Sequence, residues 1–369
     1  MSESDARELK AAAVSAVAAP ELSYRPPLPR GPVPKIGLIG CGGIANNHLV
    51  AYKQRGWPVA VLCDINLDAA RKLRDAHFPD ADITDDPETV FSRSDIGVLD
   101  LATHPAHRLA HIRRALESGK HVLSQKPFVT DLRAGRELVE LAEKSGLKLA
   151  VNQNGRWAPY YSYLRQAVDT GLLGDIISCD VQIAWDHTWI KGTHFEKIHH
   201  IVLYDFAIHW FDIVRCVFGD ARPESVFACV RKVPGQDIEP PLGANALIAY
   251  PAGLATLSFH ACTRFGAAES TVVTGTRGTF RSQGPVCAND RVSLFTADGE
   301  ADVKLEGAWF NDGFAGAMGE LLCSIEENRE PSNSARHNLA SLELCFAACA
   351  SADRGRPVVP GEIASIMPV

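Results

Sequence analysis

Three ionisable residues, Asp205, His209 and Asp212, interrupt a strongly apolar stretch at positions 204–214. Their spacing of i, i+4 and i+7 predicts that they share one face of a helix. The remaining positions are apolar nearly all round, which indicates a buried helix where unpaired ionisable groups cost several kcal/mol. Because a paired aspartate can fix an imidazole tautomer, the pattern favours proton transfer. The alternative is a histidine that is only a hydrogen-bonded core residue.

A lysine, Lys126, follows the apolar run at 122–124 and precedes Pro127. This order places its side chain at the carboxyl end of a predicted parallel strand, outside which open α/β sheets bind their ligands. An ammonium there can hydrogen-bond a substrate oxygen and stabilise developing negative charge. For an isolated Lys-Pro pair, a surface lysine in a loop is the simpler interpretation. The other motifs of the sequence are therefore needed to distinguish a surface lysine from an active-site lysine.

The first apolar run ends in the sequence GCGGIA at residues 40–45, and Asp64 ends the next predicted strand, 24 residues after Gly40. Gly40 permits a tight turn, Gly42 lets the backbone approach a pyrophosphate, and Ala45 allows close packing of helix and strand. The Asp64 carboxylate can accept both ribose hydroxyls and repels a 2′-phosphate, which favours NAD over NADP. The alternative is a glycine turn that binds nothing. The predicted cofactor contacts of this motif are Gly40, Gly42, Gly43, Ile44 and Asp64.

These motifs together resemble the Gfo/Idh/MocA family of nicotinamide-dependent oxidoreductases, which includes glucose–fructose oxidoreductase and inositol dehydrogenase. The family carries a Glu-Lys-Pro motif whose lysine lies beside the nicotinamide and the substrate hydroxyl, and Lys126 and Pro127 match it. Gln125 replaces the usual glutamate, so the position keeps its hydrogen-bonding capacity and loses its charge. The resemblance implies that Asp205 and His209 join Lys126 at the active site.

The family's Asp-x-x-x-His-x-x-Asp pattern also matches Asp212, for which the resemblance implies a structural role. Relatives usually have a glycine-rich segment before this helix, whereas this chain has IHHIVLY at 198–204, which changes the expected pocket. A metal site is an alternative that we weigh as weaker, and we predict no metal. The four residues of that alternative are His199, His200, Asp205 and His209.

Further candidates lie near the predicted domain junction and in the second half of the chain. By resemblance Asn154 reaches the nicotinamide end, while aromatic rings beside hydrogen-bonding groups suit a carbohydrate-like ligand. For each residue, ordinary packing is the alternative. The candidates are Thr103, Gln125 and Asn154 for the cofactor and Arg156, Trp157, Trp185 and His187 for the substrate.

Short apolar runs alternate with amphipathic stretches from Lys35 to residue 151, which predicts a doubly wound parallel sheet. Later β-type runs are separated by glycine and proline, which favours an antiparallel sheet, and two helices follow at about 313–328 and 335–352. The predicted fold class is α/β, with an N-terminal Rossmann domain and a C-terminal α/β domain containing a large, mostly antiparallel open sheet. The predicted divisions are a proline-rich arm at 1–34, a cofactor domain at 35–151 and a substrate domain at 152–369.

Composition excludes several classes of function. The 369 residues carry a formal charge of −7, which disfavours nucleic-acid binding, and no apolar run approaches the roughly 20 residues of a membrane span. The ten cysteines are scattered without a CxxC pair, which favours a reducing compartment and disfavours a zinc or disulfide framework. We therefore expect a cytoplasmic protein. We also expect the arm to pack on the cofactor cleft or on a neighbouring subunit.

The resemblance predicts reversible, NAD-dependent oxidation of a secondary alcohol on a sugar, glycoside or cyclitol. His209 is expected to take the hydroxyl proton, Lys126 to hydrogen-bond the same oxygen, and Asp205 to orient His209. Two alternatives remain open: a non-catalytic NAD-binding regulator, and an NAD-dependent glycosidase of the same fold. The open sheet leaves one face to cover, and relatives use it to form a homodimer or homotetramer.

Overall fold

The computed structural model describes residues 15–367. Its first sheet has six parallel strands in the order β3-β2-β1-β4-β5-β6. The strands are β1 (Lys35–Ile39), β2 (Val59–Cys63), β3 (Asp82–Thr84), β4 (Ile96–Leu101), β5 (His121–Ser124) and β6 (Leu149–Val151). The helices between them are α1 (Ala45–Arg55), α2 (Leu67–His77), α3 (Pro87–Phe91), α4 (Pro105–Glu117) and α5 (Leu132–Lys144).

The six parallel strands confirm the predicted Rossmann architecture. Strands of such a sheet are buried on both faces, so their sequences are nearly continuous apolar runs. In β4 all residues but one are buried. The short edge strand β3 was not predicted, and its three residues are exposed or half-buried. Asp131 caps α5, since its carboxylate accepts a hydrogen bond from the Arg133 amide at 2.7 Å.

The second sheet has eight strands in the order β14-β13-β12-β11-β7-β10-β9-β8. Its first four strands in the chain are β7 (Ile176–Ala184), β8 (Ser225–Arg231), β9 (Gly243–Tyr250) and β10 (Gly253–His260). The other four are β11 (Ala268–Gly275), β12 (Gly278–Gly284), β13 (Arg291–Thr296) and β14 (Gly299–Asp302). Of the seven pairs formed by these eight described strands, only β7–β10 is parallel, so the mostly antiparallel sheet is confirmed.

The sequence did not indicate β12 or β14. Their sequences, GTFRSQG and GEAD, are polar and contain glycine, yet alternate residues of both strands are buried. Hydrogen bonds to neighbouring strands, rather than local propensity, therefore place them in the sheet.

Four helices complete the described chain: α6 (Pro159–Asp169), α7 (Ile208–Phe218), α8 (Trp309–Glu326) and α9 (Ala335–Arg354). The apolar face of α8 packs into the same core as β1 and α1. The first sheet ends with β6 at Val151 and the second begins with β7 at Ile176, whereas the late helix α8 completes the core of the first sheet. None of the helices within residues 15–367 combines the length and apolarity needed to cross a bilayer.

The described part of the arm runs in extended form over its own chain. The amide of Val17 donates to the carbonyl of Glu300 in β14 at 2.9 Å, and the Tyr163 hydroxyl of α6 donates to the Pro20 carbonyl at 3.0 Å. Glu326 of α8 accepts the amides of Arg30 and Gly31. These contacts lie on the second sheet, α6 and α8, and the expected packing on the cofactor cleft or on a neighbouring subunit stays a prediction.

Candidate active site

The glycine loop between β1 and α1 has the geometry of an anion-binding turn. Gly40 adopts a φ of +101°, and a Cβ atom there would lie 2.8 Å from the backbone of Ala102 and Thr103. A Cβ atom on Gly42 or Gly43 would instead point into open space. No side chain in the described part of the chain caps the first turn of α1, where the amides of Ala45 and Asn47 donate to the carbonyls of Gly42 and Ile44. The positive end of the helix dipole faces the loop, where it favours a pyrophosphate.

The residues around this loop also fit NAD. Asp64 accepts the amide of Cys41 at 2.7 Å and the amide of Asn66 at 2.8 Å, which fixes its carboxylate beside the loop. Ile65 is 93% exposed and offers an apolar surface next to that carboxylate. The buried hydroxyl of Thr103 has no hydrogen-bond partner among the described residues. A polar ligand in the cleft would satisfy it, as the sequence predicts for the cofactor.

Lys126 and Asp205 join the two halves of the protein. The Lys126 Nζ atom donates to the backbone carbonyl of Asp205 at 2.9 Å and lies 3.3 Å from its Oδ1 atom. Both side chains are mostly buried, with 18% and 13% exposed. The ammonium is therefore held at the carboxyl edge of the first sheet by a residue from the second half of the chain.

The loop that carries Lys126 is clamped by an arginine that the sequence analysis missed. Arg108 of α4 is 2% exposed and donates to the carbonyls of Thr103, Gln125 and Pro127. Burial lowers its pKa to about 10. The carbonyls of Gln125 and Pro127 flank Lys126, so Arg108 fixes the backbone on both sides of the lysine. Its only sequence signal is a position in the first turn of the helix that starts at Pro105.

Gln125 contacts the backbone of Lys126 rather than its amine. Its Oε1 atom accepts the Lys126 amide at 2.7 Å, and its Nε2 atom lies 3.1 Å from the Nε2 atom of His48. The opposite nitrogen of His48 lies 2.6 Å from the Asp100 carboxylate, which also accepts the Tyr52 hydroxyl at 2.6 Å. A glutamate at position 125 would place a negative charge next to the fully buried His48–Asp100 pair, whereas Gln125 places a neutral amide there.

The segment that carries Asp205 and His209 departs from the predicted α-helix. Residues Val202–Phe206 form a π-helical turn in which the Ala207 amide donates to the Val202 carbonyl at 2.7 Å, and α7 begins only at Ile208. The wider turn rotates Asp205 off the face of His209 and toward Lys126. No hydrogen bond joins Asp205 to His209 within residues 15–367, so the expectation that Asp205 orients His209 is corrected.

His209 is held neutral by its surroundings. Burial and repulsion from Lys126 lower its pKa well below the usual range. The Nδ1 atom is buried without a hydrogen-bond partner among the described residues. The ring packs edge-on against Trp309, with centroids 5.7 Å apart. Such a histidine has a lone pair available to accept a proton at neutral pH.

Aromatic rings form one wall beside Asp205, as the sequence predicts for Trp185 and His187. The ring centroids of His187 and Phe206 lie 3.9 Å apart in a stacked arrangement, and those of His187 and Trp185 lie 4.6 Å apart. Burial lowers the pKa of His187 to about 4. The Trp189 indole donates to its Nδ1 atom at 3.2 Å, which assigns the proton of the neutral ring to Nε2.

Asn154 lies in the 3₁₀ turn Asn154–Trp157 that follows β6. Its Oδ1 atom accepts the Trp309 indole N–H at 3.0 Å, which directs the amide group and leaves its NH₂ group without a partner in the described chain. Trp309 is a positioning residue that the sequence analysis placed outside α8.

Arg156 and Trp157 occupy the interior instead of an open substrate pocket. Arg156 is 4% exposed and forms two 2.6 Å hydrogen bonds to the carboxylate of Asp212. Trp157 packs against Gly316 of α8, where a Cβ atom would approach within 2.1 Å of the indole. We therefore leave both residues out of the proposed substrate site, and Asp212 has the structural surroundings that were expected.

The four residues of the alternative metal site, His199, His200, Asp205 and His209, do not lie together. Among residues 15–367, His199 and His200 lie with Asp353, while Asp205 lies with Lys126. The four residues of that set thus divide between two places.

Family profiles match two parts of the chain. The profile of an oxidoreductase family with an NAD-binding Rossmann fold matches residues 34–153, and the profile of the GFO/IDH/MocA C-terminal domain matches residues 161–281. Among curated relatives, D-apiose dehydrogenase of Paraburkholderia graminis is 26% identical over 88% of this chain and 89% of its own length. An inositol 2-dehydrogenase/D-chiro-inositol 3-dehydrogenase of Shouchella clausii is 30% identical over 48% of this chain and 52% of its own.

Solved structures share the fold. An oxidoreductase from Agrobacterium radiobacter, in complex with NAD⁺, L-tartaric acid and magnesium, superposes with a TM-score of 0.78 at 22% identity. A levoglucosan dehydrogenase in complex with NADH gives a TM-score of 0.75 at 18% identity. Each match covers 89% of this chain and 99% of the other.

Proposed function

The chain belongs to the Gfo/Idh/MocA family of NAD-binding oxidoreductases, and from that premise we propose that it oxidises a secondary alcohol of a sugar, glycoside or cyclitol. The curated relatives act on D-apiose, inositols and D-glucosides, which supports this substrate class. Neither the regulator nor the glycosidase alternative has such support.

One observation carries the proposal. Lys126 of the first half and Asp205 of the second are in contact, and burial, with a smaller contribution from the charge of Lys126, lowers the pKa of both His209 and His187. Lys126 and Asp205 therefore meet at the carboxyl edge of the first sheet, and His187 stacks on Phe206, the residue next to Asp205. The glycine loop lies at the same edge, since Gly40 packs against the end of β4.

The residues divide the chemistry between them. NAD⁺, when bound, supplies the hydride acceptor. Neutral His209 accepts the proton of the substrate hydroxyl, and Lys126 donates a hydrogen bond to the same oxygen. Asp205 holds the ammonium in place through its carbonyl and carboxylate. The Nε2–H group of His187 donates to a second substrate oxygen, while Trp189, 53% exposed, offers an apolar ring face.

The deciding experiment measures NADH formation by the full chain with D-apiose, inositols, D-glucosides and levoglucosan, with NAD⁺ and NADP⁺ in parallel. We expect turnover of one substrate class with NAD⁺, and a loss of about 10²–10⁴-fold in kcat for His209→Ala. His337→Ala is the matched control, because the ring of this exposed histidine hydrogen-bonds only the Ser332 carbonyl among residues 15–367. Near-normal turnover by Lys126→Met would reject the assigned roles.

The remaining expectations stay proposals. We propose residues 35–151 as the cofactor domain, 152–369 as the substrate domain, and a cytoplasmic location, which the ten free thiols support. We also propose a homodimer or homotetramer that covers the open sheet. Phe227, Leu247 and Leu254 are 40–50% exposed on neighbouring strands of that sheet. Light scattering of Leu247→Asp against the parent chain tests this assembly, and unchanged mass would reject it.

A further inference from the structure

Two adjacent histidines meet an aspartate outside the group formed by Lys126, Asp205 and His209. The Nε2 atoms of His199 and His200 lie 2.9 Å and 2.8 Å from the same Oδ1 atom of Asp353. The two imidazole rings are only 3.8 Å apart. We propose that these three residues bind a divalent transition metal ion of the zinc class, in contrast to the expectation of no metal.

The backbone at His200 brings the two rings together. Its φ of +52° lies in the left-handed region, which a non-glycine residue rarely adopts. Side chains of neighbouring residues normally diverge, whereas this turn directs both imidazoles to one side. Strain of this kind collects at functional sites, where other contacts must offset it. Here the offsetting contact is the shared carboxylate.

Asp353 supplies a second, independent indication of a cation. It lies in the last turn of α9, where the helix dipole disfavours an anion. The partners of its carboxylate among the described residues are the two imidazoles, whereas the neighbouring Arg354 pairs with Glu362 at 2.7 Å. Two imidazolium rings 3.8 Å apart would repel each other. A single metal ion satisfies the carboxylate and uses one lone pair from each neutral ring.

The donor set selects the class of metal. Two imidazole nitrogens and one carboxylate oxygen suit zinc and its transition-metal neighbours, whereas magnesium and calcium prefer oxygen ligands. In a tetrahedral zinc site with bonds of about 2.0–2.2 Å, neighbouring ligand atoms lie about 3.3 Å apart. The present separations must open by about 0.5 Å. The side chain of His199 is 60% exposed and can move by that amount.

The position of the site ties it to the candidate active site. The carbonyl of His200 accepts the amide of Tyr204 at 2.9 Å, at the start of the π-helical turn that carries Asp205. A metal held by His199, His200 and Asp353 would therefore fasten this turn to the end of α9.

The test is a calorimetric titration of the EDTA-treated full chain with ZnCl₂ at pH 7.5 and at pH 5.5. We expect one ion per chain, binding that is at least tenfold weaker at pH 5.5, and a Zn²⁺-dependent rise in Tm. Asp353→Asn and His199→Ala should each weaken binding at least tenfold, whereas His337→Ala should leave it unchanged. His199 is exposed, so its variant is expected to fold, which circular dichroism checks.

Absence of saturable binding up to 1 mM ZnCl₂ (about 10⁻³ M, the weak limit of a specific site) would overturn the proposal. Binding that persists undiminished in Asp353→Asn and His199→Ala would do the same by placing the ion elsewhere. The measurement needs no substrate, so it is independent of the dehydrogenase assay. A visible Co²⁺ spectrum that His199→Ala abolishes would confirm nitrogen ligation at this site.

Discussion

The buried pair of Arg156 and Asp212 gives a prediction that separates the structural role from the substrate role expected by resemblance. Both side chains are at most 4% exposed, and two 2.6 Å hydrogen bonds join the guanidinium to the carboxylate. The Ser341 hydroxyl donates to the same carboxylate at 2.7 Å. Asp212→Asn removes the anion and leaves the guanidinium charge buried without its counter-ion.

Breaking one partner of such a pair costs about 3–5 kcal/mol in the free energy of unfolding. At roughly 2 °C per kcal/mol for a large chain, this corresponds to a fall in Tm of roughly 6–10 °C. Arg156→Met should cost a similar amount, and the double variant should lose less than the sum of both by up to about 3 kcal/mol.

Urea unfolding at pH 7.5, followed by circular dichroism, measures these losses, and NADH formation measures turnover in the same samples. A loss below about 1 kcal/mol for Asp212→Asn would refute the reasoning. A fall in kcat/KM for Arg156→Met at an unchanged urea midpoint would restore the substrate role instead.

Three further predictions concern the site itself. Burial and the charge of Lys126 lower the pKa of His209, so the acid limb of the pH profile of kcat/KM should lie below pH 6.5. Lys126→Met should move this limb to higher pH. A limb at pH 6.5 in both proteins contradicts the prediction. The pKa of His187 is lowered to about 4, so the unfolded state binds more protons between pH 4 and 6.5 and stability falls as pH drops through that window. The loss should approach about 3 kcal/mol at pH 4 and shrink in His187→Phe, as measured by urea unfolding at each pH. Asp64→Ala should weaken NAD⁺ binding at least tenfold, about 1.4 kcal/mol, while affecting NADP⁺ less, and equal losses in fluorescence titrations would reject the ribose contact.

The local motifs carried the prediction of the cofactor domain. In the glycine loop, Gly40 needs a positive φ, and a Cβ on Gly42 would point into the open space beside the loop where the motif places a pyrophosphate, and both features belong to single residues. Asp64 ends the strand that must neighbour β1 in a doubly wound sheet, so chain order alone sets its place. The polar strands β12 and β14 could not be predicted in this way, because their pairing partners rather than their own residues make them strands.

The sequence by itself determined the Rossmann domain, the position of Lys126 at a strand end and the presence of Asp205 and His209 in one segment. Only the tertiary structure decided the partners of these side chains. Helical spacing assumes 3.6 residues per turn, and the π-helical turn at Val202–Phe206 breaks that assumption, which sends Asp205 to Lys126. Arg156 likewise meets Asp212 across 56 residues, a contact that depends on how the two halves pack and that no local pattern encodes.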